Sequence, residues 1–336
     1  MHGGKSTQAA RASNSTIDDG PFPADLNGSN ITYPWPVKLY RFESQGQPLE
    51  MAFMDVPPSG QAASHEAAPI AVLLHGRNFC AATWQDTTSN LSAAGYRVVI
   101  PDQVGFCKSS KPAGYQFSLH QLALNTHNLL TVVAPNTTAT VIGHSLGGML
   151  AARYALMYPS STAALVLANP IGLEDWKAVG VPYQAIETTL EGERASTYAS
   201  IRGYEQATYY LGLWAAAYDV WVNMLVNVYQ GSQGGAFAAD QALVVDMVLT
   251  QPVVYEFGLI RPRTLLLIGE KDTTAIGKQW SPPEVQARLG RYDVLGKKAA
   301  AVIPRSTYVG FPDLGHAPQI QDPARFHKAL MKWLTE

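Results

Sequence analysis

The chain reads as an α/β protein: a mostly parallel, eight-stranded sheet flanked by helices, with one helical insertion. Three observations lead there. Two short runs, Ile70-Ala71-Val72-Leu73-Leu74 and Leu265-Leu266-Leu267-Ile268, are apolar on both faces, so each needs a helical layer on either side. Such runs alternate with longer amphipathic segments along most of the chain. Residues 173–257 break that alternation, with no convincing strand and a crowd of aromatics.

Taken in order, residues 1–36 open the chain with a stretch rich in Gly, Ser, Asn, Ala and Asp, expected to be a flexible tail. Strands are expected at 37–43 and 49–55, which alternate in polarity and read as an antiparallel edge hairpin turning near Ser44-Gln45-Gly46-Gln47. Further strands are expected at 69–74, 96–100, 139–143, 163–168, 263–268 and 306–311, and helices at 83–94, 118–134, 146–158 and 323–334. Residues 37–172 and 258–336 therefore form the core, and 173–257 a helical cap (lid) over one end of the sheet.

Composition excludes several function classes. The 336 residues are 47% apolar and only 15% charged, which describes a folded chain with a large core. A formal net charge of −2 without a Lys/Arg run argues against nucleic-acid binding. No uninterrupted apolar stretch reaches the length that crosses a bilayer. With no CxxC and no paired histidines, a zinc site of ordinary spacing is excluded, and no metal or cofactor is expected. Five Asn-x-Ser/Thr sequons, at Asn14, Asn27, Asn30, Asn90 and Asn136, with no apolar leader, lead to the expectation of an exported (periplasmic or secreted) protein whose leader has been removed.

The chemistry centres on Val141-Ile142-Gly143-His144-Ser145-Leu146-Gly147-Gly148, a buried strand that ends in Gly-x-Ser-x-Gly and runs into a helix-forming segment. A serine on so sharp a turn is forced into an unusual backbone conformation, and its hydroxyl is presented beside the following helix N-terminus. A serine hydroxyl needs a base, and the base an orienting acid. Just past the carboxyl ends of later strands stand Asp272, in Leu267-Ile268-Gly269-Glu270-Lys271-Asp272, and His316, in Gly315-His316-Ala317-Pro318. Glu174 and Asp175, past the sixth strand, are rival acids. The oxyanion donors are expected to be the backbone N–H groups of Arg77, in Leu74-His75-Gly76-Arg77-Asn78-Phe79-Cys80, and of Leu146. His75 is expected to brace that loop, and His144 to point away from the nucleophile. Candidate substrate contacts are Asn78, Phe79, His144, Trp176, Tyr183, Tyr210 and Trp214.

These motifs, together with Pro101-Asp102-Gln103-Val104-Gly105-Phe106-Cys107-Lys108-Ser109-Ser110-Lys111-Pro112, resemble those of the α/β-hydrolase fold family, in its branch with a helical cap. The resemblance spans residues 37–336 and implies Ser145 as nucleophile, Asp272 as acid and His316 as base. Serine at the elbow, where epoxide hydrolases and haloalkane dehalogenases carry aspartate, implies acyl chemistry. The expectation is therefore a carboxylic-ester hydrolase working through an acyl-enzyme on small to medium apolar or aromatic substrates. An amidase, a C–C hydrolase, a lyase or perhydrolase on the same triad, and a receptor-like binding protein with slow turnover are the alternatives. In this fold the third and fourth strands are neighbours, which brings Cys80 and Cys107 to one sheet edge and implies a disulfide pinning the oxyanion loop.

Overall fold

The computed structural model describes residues 15–59 and 68–336, so residues 1–14, with the Asn14 sequon, lie outside the described residues. The strands are β1 (Thr16–Asp18), β2 (Val37–Ser44), β3 (Gln47–Val56), β4 (Ile70–Leu74), β5 (Arg97–Pro101), β6 (Ala139–His144), β7 (Thr162–Ala168), β8 (Arg263–Gly269) and β9 (Ser306–Phe311). They form one sheet in the order β1-β2-β3-β5-β4-β6-β7-β8-β9. The β1–β2, β2–β3 and β3–β5 pairs are antiparallel and all later pairs are parallel.

The helices are α1 (Gln85–Ala93), α2 (Leu119–Val133), α3 (Leu146–Met157), α4 (Trp176–Val179), α5 (Ile186–Arg194), α6 (Tyr198–Thr208), α7 (Asp219–Gln230), α8 (Gly234–Thr250), α9 (Pro283–Gln286), α10 (Tyr292–Val302), α11 (Pro318–Gln321) and α12 (Pro323–Thr335). Side-chain alternation along the buried strands divides the core in two. Val72, Leu74, Val141, Leu266 and Ile268 pack with α2, α3 and α10. Ala71, Leu73, Ile142, Leu265 and Leu267 pack with α1 and α12 on the other face. Helix α12 turns Phe326, Leu330 and Trp333 inward at helical spacing, and the Asp322 side chain caps it by accepting from the Arg325 N–H.

Two sequence expectations need correction. Residues 15–36 are not a flexible tail: β1 adds a ninth strand, and Leu26 is buried against Leu39 and Ala52. Two lysines bind the segment's backbone. Lys108 Nζ donates to the Ala24 and Ser29 carbonyls, and Lys111 Nζ to that of Asn27. Helix α10 is the second omission; the parallel β8–β9 pair requires a crossover of that kind. None of the described helices is long and apolar enough to cross a membrane.

Helices α4 to α8 fill the interval between β7 and β8, and this insert is anchored by α8, whose Val244, Met247 and Val248 join the main core. The sheet order reverses at β4, which has β5 on one side and β6 on the other; the crevice expected at such a switch point lies past the carboxyl ends of β4 and β6. Two loops there are stapled together. Cys80, after β4, is disulfide-bonded to Cys107, after β5, with Cα atoms 5.8 Å apart. Beside it the Asp102 carboxylate accepts from Ala81 N–H at 2.8 Å, Lys108 N–H at 3.0 Å and the Tyr33 hydroxyl at 2.5 Å. Cys80, Asp102 and Cys107 lie close enough together to hold a metal ion, but their ligand atoms are committed to these bonds.

The disulfide closes a loop of sequence separation 27, so reduction is expected to lower stability by about 3–4 kcal/mol, read from denaturant titrations with and without reductant. A second prediction concerns Glu205 on α6, whose two carboxylate oxygens are buried without a partner among the described residues. Burial pushes its pKa up to about 8, so the folded chain keeps a proton that the unfolded chain releases. The cost is absent below the ordinary carboxyl range and complete above about pH 8, so stability drains away as pH rises between the two. Glu205→Gln should therefore gain stability relative to wild type as pH goes from 5 to 8; a pH-independent difference would contradict this.

Candidate active site

The serine turn is built by backbone crowding. Ser145 has φ 57° and ψ −122°, a left-handed conformation that only a tightly determined turn holds in place. A Cβ on Gly143 would lie 2.0 Å from the Gly147 carbonyl oxygen, and one on Gly147 would lie 2.0 Å from that of Leu74. The glycines of Gly-x-Ser-x-Gly are thus what let β6, α3 and the end of β4 cross at one point. The Ser145 N–H donates to the Ala168 carbonyl at 3.2 Å, and its own carbonyl accepts from Ile171 N–H at 3.1 Å. Its backbone is held from β7 as well.

His316 follows β9 and is buried. Its Nδ1–H donates to Asp272 Oδ2 at 2.6 Å. Its Nε2 is buried with no hydrogen-bond partner among the described residues, so no hydrogen bond joins it to Ser145 in this structure. The Nδ1–H tautomer makes that nitrogen an acceptor. Asp272 is in turn fixed by the Thr274 N–H at 2.8 Å on Oδ1 and by Asn169 Nδ2 at 3.0 Å on Oδ2. Asn169, at the carboxyl end of β7, also braces β8 through Gly269 N–H, which donates to its Oδ1 at 2.8 Å. Sequence reading missed it, although a polar residue closing a buried strand was the signal available. The rival acids are elsewhere: Glu174 accepts from Gly290 N–H, and Asp175 caps α4.

Around Ser145 the two expected donors are free. Leu146 opens α3, where its N–H has no intrahelical acceptor, and the Arg77 N–H has none among the described residues. Gly76 brings the loop against the serine: a Cβ there would come within 2.8 Å of Ser145 Cβ. His75 braces the loop through Nε2, which accepts from Gln103 N–H at 3.1 Å. His144 points away, its Nε2–H donating to the His316 carbonyl at 2.8 Å. Burial, then the neighbouring His316, hold its pKa well below the ordinary imidazole value, so it serves as a neutral donor.

The insert reaches down to this loop. Arg77 Nη1 donates to Glu193 Oε1 of α5 at 2.8 Å, and the Tyr229 hydroxyl of α7 donates to Glu193 Oε2. Burial alone would lower the Arg77 pKa, but Glu193 together with Tyr229 and Tyr209 more than offsets it and the guanidinium stays charged. Asn78 Nδ2 donates to the Tyr209 hydroxyl at 3.0 Å.

Ser145 opens into a cavity of about 170 Å³ whose other walls include Arg77, Tyr204, Tyr209, Ile276 and Trp280. None of the candidate substrate contacts read from the sequence lines it. Asn78 is engaged by Tyr209, Phe79 stacks on the Tyr209 ring at 5.8 Å, and His144 is turned into the core. Trp176 and Tyr210 are buried as packing groups, and Tyr183 is 61% exposed. Trp214 donates to Asp219 within the insert. The aromatic side chains that line the cavity are instead Tyr204 and Tyr209, from the same aromatic segment, and Trp280, from the loop after β8.

Known proteins share this arrangement of elements. A solved structure of a probable hydrolytic enzyme from Pseudomonas aeruginosa PAO1 is 53% identical, with a TM-score of 0.87, over 90% of this chain and 95% of that one. Lipase 3 of Moraxella sp. (strain TA144) is 24% identical over 72% of this chain and 71% of its own length. A thermophilic esterase from Thermogutta terrifontis, solved with malate bound, is 21% identical with a TM-score of 0.62 over 87% of this chain and 95% of that one, a likeness of fold alone. The family model for the alpha/beta hydrolase fold matches residues 69–323. The chain belongs to the alpha/beta hydrolase family, and its curated relatives include lipases.

Proposed function

We propose that this hydrolase cleaves carboxylic esters of small substrates through an acyl-enzyme on Ser145. The observation that carries the reading is a serine held at a strained elbow on a small cavity, between the first turn of α3 and the loop after β4, whose Leu146 and Arg77 N–H groups have no backbone acceptor among the described residues. The bonded Asp272–His316 pair supports the role of base for the free Nε2. In the proposed reaction the substrate carbonyl carbon meets Ser145 Oγ as His316 Nε2 takes the hydroxyl proton. The Arg77 and Leu146 N–H groups hold the oxyanion, with no reorganisation because backbone amides are fixed. Asp272 keeps the imidazole in its tautomer and balances the imidazolium. His316 returns the proton to the leaving alcohol, and water activated by the same nitrogen then releases the acid.

The cavity supports a compact substrate. About 170 Å³ is well below the roughly 300–1,000 Å³ of sites for drug-sized ligands. Its aromatic and aliphatic walls favour an apolar or aromatic group. The disulfide supports an oxidising compartment, in keeping with an exported protein.

Ser145→Ala is expected to lower kcat/KM for p-nitrophenyl butyrate by at least about 10³-fold with the melting temperature nearly unchanged. Retention of a tenth of wild-type turnover would contradict the assignment. Across p-nitrophenyl esters from acetate to palmitate, kcat/KM should peak at the short acyl chains, and a maximum at palmitate would contradict the compact site.

A further inference from the structure

One residue of the insert touches both halves of the proposed machinery. Tyr209 lies in the turn after α6, where its N–H and that of Tyr210 both donate to the Glu205 carbonyl, at 2.7 and 3.0 Å. The turn then passes through Leu211 at φ 60° and Gly212 at φ 78°. A leucine in the left-handed region costs about 1 kcal/mol, so the turn is held by its contacts and not by local preference.

On the base side, the Tyr209 carbonyl accepts from His316 N–H at 3.1 Å. Its ring lies with its centroid 4.5 Å from that of the imidazole. The approach is close enough that a Cβ on Gly315 would fall 2.2 Å from the Tyr209 carbonyl oxygen. On the oxyanion side, the hydroxyl accepts from Asn78 Nδ2 at 3.0 Å and the ring stacks on Phe79. Asn78 and Phe79 directly follow Arg77, whose N–H is a proposed oxyanion donor.

We infer that Tyr209 is a positioning residue that seats the base and the oxyanion loop together, so that catalytic competence depends on the docked insert. The inference rests on the proposed roles of Ser145, His316 and the Arg77 N–H. Tyr209 is a suitable coupler because a single rigid ring with a polar tip spans the two loops with little conformational freedom to lose. If the tip were cut away, the oxyanion loop would lose its tether while the ring would still cover His316. If the ring were removed as well, both would be released.

The test compares Tyr209→Phe, Asn78→Ala, the double variant and Tyr209→Leu with wild type and Ser145→Ala. It measures kcat and KM for p-nitrophenyl acetate well below each melting temperature. Tyr209→Phe and Asn78→Ala are each expected to lower kcat by about tenfold with KM within about twofold. The double variant should be no worse than either single one, because both cut the same bond. Tyr209→Leu should lose about a hundredfold or more in kcat. A merely structural tyrosine would lower the melting temperature and leave kcat of the folded enzyme unmoved, which overturns the inference. A rise confined to KM, or additive losses in the double variant, overturns it too, by making Tyr209 a substrate contact or an independent group. These outcomes bear on Tyr209 alone when wild-type turnover is abolished by Ser145→Ala. If wild type shows no Ser145-dependent turnover, the hydrolytic reading falls, and the coupling with it.

Discussion

Three backbone segments cross at Ser145 with no room for side chains between them, and the rest of the site is arranged around that crossing. The end of β4, the end of β6 and the first turn of α3 approach so closely that added methyl groups at Gly143 or Gly147 would overlap carbonyl oxygens at 2.0 Å. That contact forces the serine into its left-handed conformation and puts its hydroxyl at the mouth of α3. It also brings the loop after β4 alongside, with Gly76 against the serine side chain. Hydrophobic burial on both faces of the sheet supplies the force that holds the segments together.

Two further layers of fixation surround the crossing. The first belongs to the core: the Cys80–Cys107 disulfide and the Asp102 carboxylate join the loops after β4 and β5, and Asn169 ties β7 to β8 beside Asp272. The second comes from the insert, through the Arg77–Glu193–Tyr229 chain and through Tyr209. Two buried ionisable groups are accommodated differently: the Arg77 guanidinium is paired with Glu193, while burial holds Glu205 in its neutral form. The insert walls the cavity and is bonded to the same loop that carries the proposed oxyanion donor Arg77.

Much of this was legible in the chain itself, because some constraints act locally. Runs such as Ile70–Leu74 carry their own evidence of double-sided burial, and Gly-x-Ser-x-Gly encodes its steric crossing within five residues. Contacts between distant segments carry no such mark. Nothing in Lys108 or Lys111 announces that each holds a carbonyl more than eighty residues upstream, so residues 15–36 read as a tail when they are part of the fold. The aromatic segment was located, but which rings face the cavity is decided by the pitch of α6 and the turn after it. Tyr204 and Tyr209 are on that side, whereas Tyr210, one residue on, is a packing group. Asn169 was invisible for a related reason, since its role is defined by Asp272 more than a hundred residues away.

The proposed reaction depends on Ser145 as nucleophile, with the carbonyl oxyanion of the tetrahedral intermediate met by two backbone amides. A crystal structure of the protein after reaction with a small alkyl fluorophosphonate tests this most directly. The account predicts phosphorus bonded to Ser145 Oγ, with its phosphoryl oxygen roughly 2.7–3.1 Å from the Arg77 and Leu146 nitrogens and His316 Nε2 turned toward the ester oxygen. Phosphorylation of another residue, or an adduct whose phosphoryl oxygen points away from both amides, would contradict it.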